Sequence, residues 1–212
     1  MRFNLVSKFN KVLKLYNIKF VRDSFFTLLS HLIVGFSGLL LNTIISNYYG
    51  ISDLGVVNQS LSIFMILTTL SNFGIQTSSQ KHSSQFANSS GKLKIIFTSS
   101  IIATIITSII IISFFLLLIY LFPVLIKSKK ILDIITLLLF SVPFFALNKT
   151  INNFLVGIRK MKIYSFIRTI RWVIVLTAIF YFSFFDYKII YLAFSFIMSC
   201  HWCFLGLNLK IS

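Results

Sequence analysis

Acidic residues are almost absent from this chain of 212 residues, which has no Glu and only 4 Asp. The four stand apart from one another, at positions 23, 53, 133 and 186. A membrane-embedded hydrolase or transferase needs an acid, a base or a nucleophile near the headgroup boundary, so we expect no enzyme. Binding of Na⁺ or H⁺ inside a helical bundle usually takes a mid-membrane carboxylate. A cation-coupled multidrug exporter is therefore disfavoured.

Cysteine is scarce as well, with one C-x-x-C pair formed by Cys200 and Cys203. A structural zinc site needs four ligands, and no second pair exists. Phe204 follows the pair, so the C-x-x-C-H pattern of haem attachment is missing. His31 and His82 have no neighbouring ligand residues. We therefore predict no metal and no cofactor, and we expect the two thiols to pack in the protein core.

Charged residues of either sign make up only 11% of the chain, whereas 57% of its residues are hydrophobic. Ordinary soluble domains carry about 25% charged residues, so this composition indicates a membrane protein. The charge is strongly positive, with 20 Lys and Arg. A nucleic-acid-binding protein gathers its cations on a solvated face, but here they separate long apolar runs. We expect lipid as a partner and no nucleic acid.

Six apolar runs each approach the ~20 residues that cross ~30 Å of hydrocarbon. We predict an all-α polytopic membrane protein with a basic cytoplasmic leader over residues 1–22 and a six-span helical bundle over 23–212. The spans lie at about 25–47, 54–76, 95–122, 134–157, 163–185 and 189–209. The fourth contains Lys149 and the fifth contains Arg168 and Arg171, while the others contain no Asp, Lys or Arg.

The distribution of cations predicts that both termini are cytoplasmic. In that orientation thirteen Lys and Arg lie on the inner side, in the leader, the inner loops and the C-terminal tail, and four lie in the outer loops. Cytoplasmic segments are expected to be richer in Lys and Arg. The basic cluster from Lys127 to Lys130 is the one conflict. The first span is long enough to cross the membrane and lacks an A-x-A-like cleavage site, so we predict that it is retained. Its leader is either a helix on the anionic inner leaflet or a solvated basic tail.

The three cations inside predicted spans need a physical reason. A charge near mid-bilayer costs at least ~2.5–3.5 kcal/mol, and such residues usually face a polar cavity and mark a pathway. Lys149 and Arg171 each lie about 12 Å from the cytoplasmic ends of two antiparallel neighbours, so they can share a site with Arg168. The alternative is snorkelling, in which the long side chains reach the headgroups. A shared site favours a transporter of an anionic molecule.

Every span except the third also has one polar side at helical spacing. For its Gly and Ser positions, tight helix packing is the simpler explanation. For the large amides we favour a hydrated lumen, and His31 is either a lumen residue or a buried, hydrogen-bonded histidine. The candidate polar residues of the lumen are His31, Asn42, Asn58, Asn72 and Gln76.

Several short motifs occur in an order that resembles a known family. They are Asn47-Tyr48-Tyr49-Gly50, the spacing Gly50-x4-Gly55, Asn72-Phe73-Gly74, a Ser/Gln-rich inner loop with Lys81 and Ser83-Ser84, and the run from Asn152 to Lys160. Together with the basic leader, they resemble the lipid-linked oligosaccharide flippases. These are the polysaccharide-export members of the multidrug/oligosaccharidyl-lipid/polysaccharide transporter superfamily.

The resemblance implies translocation of a polyprenyl-pyrophosphate-linked oligosaccharide, such as an O-antigen or capsule repeat unit, across the bacterial inner membrane. It implies alternating access through a cationic lumen between two helical lobes. Family members have twelve or more spans, so this chain resembles the N-terminal lobe. We expect a truncated product, one half of a split protein, or a six-span unit that dimerises. A second six-span lobe is then the expected partner, because two lobes enclose a midplane site.

On this interpretation Arg168, Arg171 and Lys149 attract the pyrophosphate. Sugar hydroxyls are bound by the amide side chains in the lumen, which are those of Asn42, Asn58, Asn72 and Gln76. A membrane scaffold or assembly subunit of a polysaccharide-export complex is the first alternative, with the polar faces serving only to join helices. The cation-coupled multidrug exporter is the second.

Overall fold

A computed structural model describes residues 2–126 and 128–185. Its helices are α1 (Arg2–Tyr49), α2 (Ile51–Asn72), α3 (Ile75–Gln85), α4 (Ser90–Leu121), α5 (Lys129–Leu139), α6 (Val142–Gly157) and α7 (Met161–Phe184). A single 3₁₀ turn, Pro123–Leu125, follows α4. No strand occurs within these two described ranges, which confirms the all-α prediction there.

Four stretches of helix are long and apolar enough to cross a membrane: Val21–Tyr49, Ile51–Asn72, Ser90–Leu121 and Met161–Phe184. The pair α5 and α6 passes the same test together, which makes up to five spans in the described residues. The predicted sixth span, 189–209, lies outside the described residues, as do Cys200 and Cys203. The apolar helices therefore indicate a membrane-embedded protein with four candidate spans in the described residues, or five if α5 and α6 form one.

The fourth predicted span is not one helix. It consists of α5 and α6, whose axes differ by 52°. Pro143 stands in the first turn of α6. Its ring would clash with the carbonyl of Leu139, four residues earlier, and it has no N–H to donate, so α5 ends at Leu139. The prediction of a continuous helix over 134–157 was wrong at this proline.

The second predicted span is shorter than expected at its inner end. It ends at Asn72, because Phe73 and Gly74 adopt left-handed conformations with φ of 39° and 79°. Glycine favours this conformation, which reverses the chain after a helix. Gln76 therefore belongs to α3, and the prediction of one polar helical face from Asn58 to Gln76 was wrong. The predicted Ser/Gln-rich loop is itself largely the helix α3.

Helix α6 contacts α2, α3, α4 and α7, and α2 likewise contacts four helices, so these two helices form the centre of the fold. The crossing of α6 with α3 is the tightest. A Cβ on Gly157 would overlap Ser83 Oγ and stand 2.5 Å from the carbonyl oxygen of Gln80. The Ser83 hydroxyl also donates to the carbonyl oxygen of Phe154 at 3.4 Å. Two of the motif segments thus pack directly against each other.

Helix α1 continues without interruption through the predicted leader and the first span, and it packs against α7 and α2. The Tyr49 hydroxyl donates to the carbonyl oxygen of Phe182 at 3.4 Å, so the last turns of α1 and α7 lie together. The Lys130 ammonium forms an ion pair with Asp53 at 2.9 Å. The loops before α2 and before α5 are therefore at one end of the bundle, as the predicted topology requires.

Candidate functional site

Lys149 and Arg171 meet at the ring of Phe145. The Arg171 guanidinium carbon lies 4.6 Å from the ring centroid, and the Lys149 ammonium lies 5.8 Å from the same centroid. Both distances are within the ≈ 6 Å range in which a cation is attracted to the negative face of an aromatic ring. The structure therefore brings together one cation of α6 and one of α7, on a ring that belongs to α6.

The ring itself is held by packing. Phe145 is 5% exposed and makes an edge-to-face contact with Phe64 of α2, with centroids 5.2 Å apart. The Lys149 ammonium also donates to the Thr69 hydroxyl of α2 at 3.3 Å. Helices α2, α6 and α7 thus converge on this pair of cations. We call Phe145, Lys149 and Arg171 the cation cluster.

Arg168 is held on another side of α7. Its Nη1 donates to Nε2 of His31 on α1 at 2.7 Å and to the Tyr164 hydroxyl at 2.8 Å. The Nδ1 atom of His31 lies 2.7 Å from the carbonyl oxygen of Thr27. An arginine can only donate and a backbone carbonyl can only accept. These two contacts require the neutral tautomer of His31 that carries its proton on Nδ1 and accepts from Arg168 with the Nε2 lone pair.

Lys149 and Arg171 are half-buried and lie about two helical turns or more from the nearest ends of their helices. Lys149 precedes the end of α6 by eight residues and Arg171 follows the start of α7 by ten, which is about 12 Å and about 15 Å at 1.5 Å rise per residue. Neither Lys149 nor Arg168 makes an ion pair with a carboxylate of the described residues. Their partners are neutral hydroxyl and imidazole groups, so their positive charge is not cancelled.

The predicted sugar-binding amides lie in three different settings. Asn42 of α1 and Asn58 of α2 are exposed in the described structure, and Gln76 of α3 is half-buried. Gly35 and Gly38 of α1, on the same predicted polar face as Asn42, have open space at the Cβ position. These glycines therefore do not serve close packing between the described helices.

Asn72 is fully buried and belongs to a hydrogen-bonded network between helices. Its Nδ2 donates to the carbonyl oxygen of Thr68 at 2.8 Å, and its Oδ1 accepts from the Thr150 hydroxyl at 3.0 Å. Thr150 also contacts the Thr104 hydroxyl at 3.0 Å. The network joins α2, α6 and α4. In this arrangement the Asn72 side chain serves helix packing, unlike the exposed amides.

Sequence reasoning did not single out Phe145, Tyr164 or Thr69 as parts of the site. Phe145 stands one helical turn before Lys149, and Tyr164 one turn before Arg168. Residues four apart on a helix are neighbours, so both contacts were open to inference from the spacing. Thr69 belongs to the polar side predicted for the second span, three residues before Asn72, but its contact with Lys149 joins residues 80 positions apart and could not be predicted.

The family model for polysaccharide biosynthesis proteins matches residues 20–201. The chain belongs to this family. The matched range includes the cation cluster, His31, Arg168, the four candidate spans and the bent pair of α5 and α6. No curated protein and no solved structure matches the chain. The family relationship therefore depends on the sequence pattern of the whole bundle, and it supports a membrane protein of polysaccharide synthesis or transport.

Proposed function

We propose that this protein is one lobe of a flippase that translocates a polyprenyl-pyrophosphate-linked oligosaccharide across the bacterial inner membrane. The cation cluster carries the proposal. Lys149 and Arg171 meet on one ring within 5.8 Å of its centroid, half-buried in the bundle, and the pyrophosphate is the anion that they attract. Arg in particular suits phosphate oxygens, because its guanidinium can donate two parallel hydrogen bonds.

The glycan is bound in this proposal by exposed polar groups on the same helices. Asn42 and Asn58 are large, exposed amides on α1 and α2, and they hydrogen-bond sugar hydroxyls together with Gln76. The polyprenyl tail stays in the lipid. A second six-span lobe, either another chain or a second copy, faces these polar surfaces, and alternating access takes place between the two lobes.

The second candidate is a scaffold or assembly subunit of a polysaccharide-export complex. The observation that favours it is the network of Asn72, Thr150 and Thr104, in which buried polar side chains join three helices. If the other polar residues also serve only to join helices, no substrate is required to explain them. A cation-coupled multidrug exporter is the third candidate, and the scarcity of acidic residues disfavours it.

Substitution of Arg171 tests the transport proposal. Loss of one charge-assisted hydrogen bond costs about 1.5–3 kcal/mol, which is tenfold or more in substrate binding. In a flippase-null strain that expresses the chain with a second lobe, we expect Arg171→Gln to abolish glycan export. Arg171→Lys should retain part of it, because Lys binds phosphate as a point charge. Export is measured as glycan on the outer face, beside the abundance of the protein in the membrane.

Lys162→Gln is the matched control. Lys162 is an exposed cation in the first turn of the same helix, beside Phe26 rather than Phe145, so its loss should leave export unchanged. Normal export by Arg171→Gln would refute the cationic site. A collapse of membrane abundance instead of activity would make Arg171 a structural residue and favour the scaffold function.

A further inference from the structure

The cations of α7 point to different neighbours. Arg171 lies over Phe145 of α6, 4.6 Å from the ring centroid, whereas Arg168 is bonded to His31 of α1 at 2.7 Å. One turn of helix separates the two. The hydrogen bond to His31 therefore holds the Arg168 guanidinium on the α1 side and keeps it from joining the cation cluster. What breaks that bond decides whether Arg168 can reach an anion at the cluster.

Protonation of His31 breaks the bond. Its Nε2 accepts from Arg168 only while the imidazole is neutral, and Nδ1 is already occupied as a donor to Thr27. A proton from water on Nε2 removes the lone pair and places two cations 2.7 Å apart. Histidine is the side chain whose charge ordinarily changes between pH 5 and 8. Such a contact is stable in one protonation state and repulsive in the other.

We propose that His31 is a positioning residue that acts on substrate through Arg168: neutral His31 holds the guanidinium against α1, and protonated His31 releases it to a lipid-linked diphosphate. The proposal rests on the proposed function and adds a regulation to it. By linkage, an anion that binds released Arg168 also favours protonation of His31. Binding of the diphosphate is then accompanied by uptake of a proton.

Other titratable groups near His31 do not offer the same switch. Helix α7 contributes Lys162, Tyr164, Arg168 and Arg171, none of which is a histidine. Helix α2 contributes only Asp53, at its far end. On α1 itself, Arg22 and Asp23 lie about two turns or more from His31. His31 is thus the one imidazole in contact with Arg168 among the described residues.

The test measures binding of inorganic pyrophosphate to the full chain in lipid nanodiscs, from about pH 8 to about pH 5.5. Two substitutions separate the states. His31→Gln provides a carbonyl oxygen that accepts from Arg168 at any pH, so it keeps the neutral state. His31→Ala removes the acceptor, so it mimics release. Pyrophosphate itself also titrates in this range. The affinity of each protein is therefore divided by that of His31→Gln at the same pH, which removes the contribution of the ligand.

We expect the affinity of the native chain, relative to His31→Gln, to rise at least fivefold as the pH falls, the lower end of typical coupling between sites. His31→Ala should bind more tightly than His31→Gln by the same factor at every pH. Calorimetry in two buffers of different ionisation enthalpy should detect proton uptake by the native chain in excess of that by His31→Gln. Tyr164→Phe, which removes a neutral acceptor, should keep the pH dependence.

Equal affinities of the native chain and His31→Gln across the pH range would overturn this inference and leave the proposed function intact. The inference would also be overturned, with the proposed function intact, if Tyr164→Phe abolished the pH dependence as fully as the His31 variants. In that case His31 would act only through local structure. Absence of pyrophosphate binding at every pH in the native chain and in His31→Ala would overturn both the inference and the proposed function.

Discussion

Replacement of Phe145 by Leu should weaken binding of a diphosphate without unfolding the bundle. The ring contacts two cations, at 4.6 Å and 5.8 Å from its centroid. A cation–π contact contributes from about 0.5 kcal/mol when it is long or exposed to about 2 kcal/mol when it is desolvated. Leu keeps an apolar side chain at this position but has no negative face. Both cations then lose the ring contact that orients them, which makes snorkelling toward the headgroups easier.

The two contacts together contribute about 1–4 kcal/mol, so we expect Phe145→Leu to lower pyrophosphate affinity about fivefold or more. Phe64→Leu is the matched control. It removes the same edge-to-face pair, whose centroids are 5.2 Å apart and which contributes about 0.5–1.5 kcal/mol to stability. Phe64 has no cation over its ring in the described structure, so its replacement should lower thermal stability and leave affinity nearly unchanged.

The assay is calorimetric titration of each purified variant with pyrophosphate, beside its thermal unfolding in the same lipid or detergent. We expect the two variants to lose similar thermal stability. Only Phe145→Leu should also lose affinity for pyrophosphate. If both variants lose affinity equally, the ring acts through packing alone. If Phe145→Leu binds like the native chain, the ring does not organise the cations, and the reasoning about the cluster is wrong.

Three further predictions concern packing and topology. Gly157→Ala should destabilise the fold by about 1–3 kcal/mol through overpacking, measured by thermal unfolding, whereas Gly55→Ala, with open space around its Cβ, should be neutral or stabilising. Thr150→Val should cost about 0.5–2 kcal/mol in the same assay, because it removes a buried interhelical hydrogen bond. Cysteine at position Ser128, but not at Ser89, should react with an impermeant thiol reagent in intact cells, and equal labelling would refute the cytoplasmic N-terminus.

Much of the helical arrangement could be predicted from the sequence, because the thickness of the bilayer determines how long an apolar run must be to cross it. The errors are at local breaks. Pro143 lies inside a run that is apolar enough to count as one span, and Phe73-Gly74 lies inside another. A count of apolar residues averages over such positions, whereas the backbone responds to each one. Proline and glycine signals should therefore have divided both segments.

The candidate site was predictable in part. Antiparallel neighbours with cations at equal depth are expected to meet, and Lys149 and Arg171 do so. The bond between Arg168 and His31 was not predictable, since it joins residues 137 positions apart on helices that are not consecutive. Nor could the burial of Asn72 be predicted. An amide at a given position on a helix faces lipid, water or a neighbour according to the packing of the whole bundle.

The partners of the cations explain how charge can remain available inside a membrane protein. A carboxylate beside Lys149 or Arg168 would stabilise the charge and also cancel it, which would leave little attraction for a substrate anion. Hydroxyl, imidazole and aromatic groups orient a cation and retain its net charge. Here Thr69, His31 and Phe145 have those roles. Under the proposed function, the near absence of acidic residues and the uncancelled charges of Lys149 and Arg168 serve one requirement, a positive site that a diphosphate can reach.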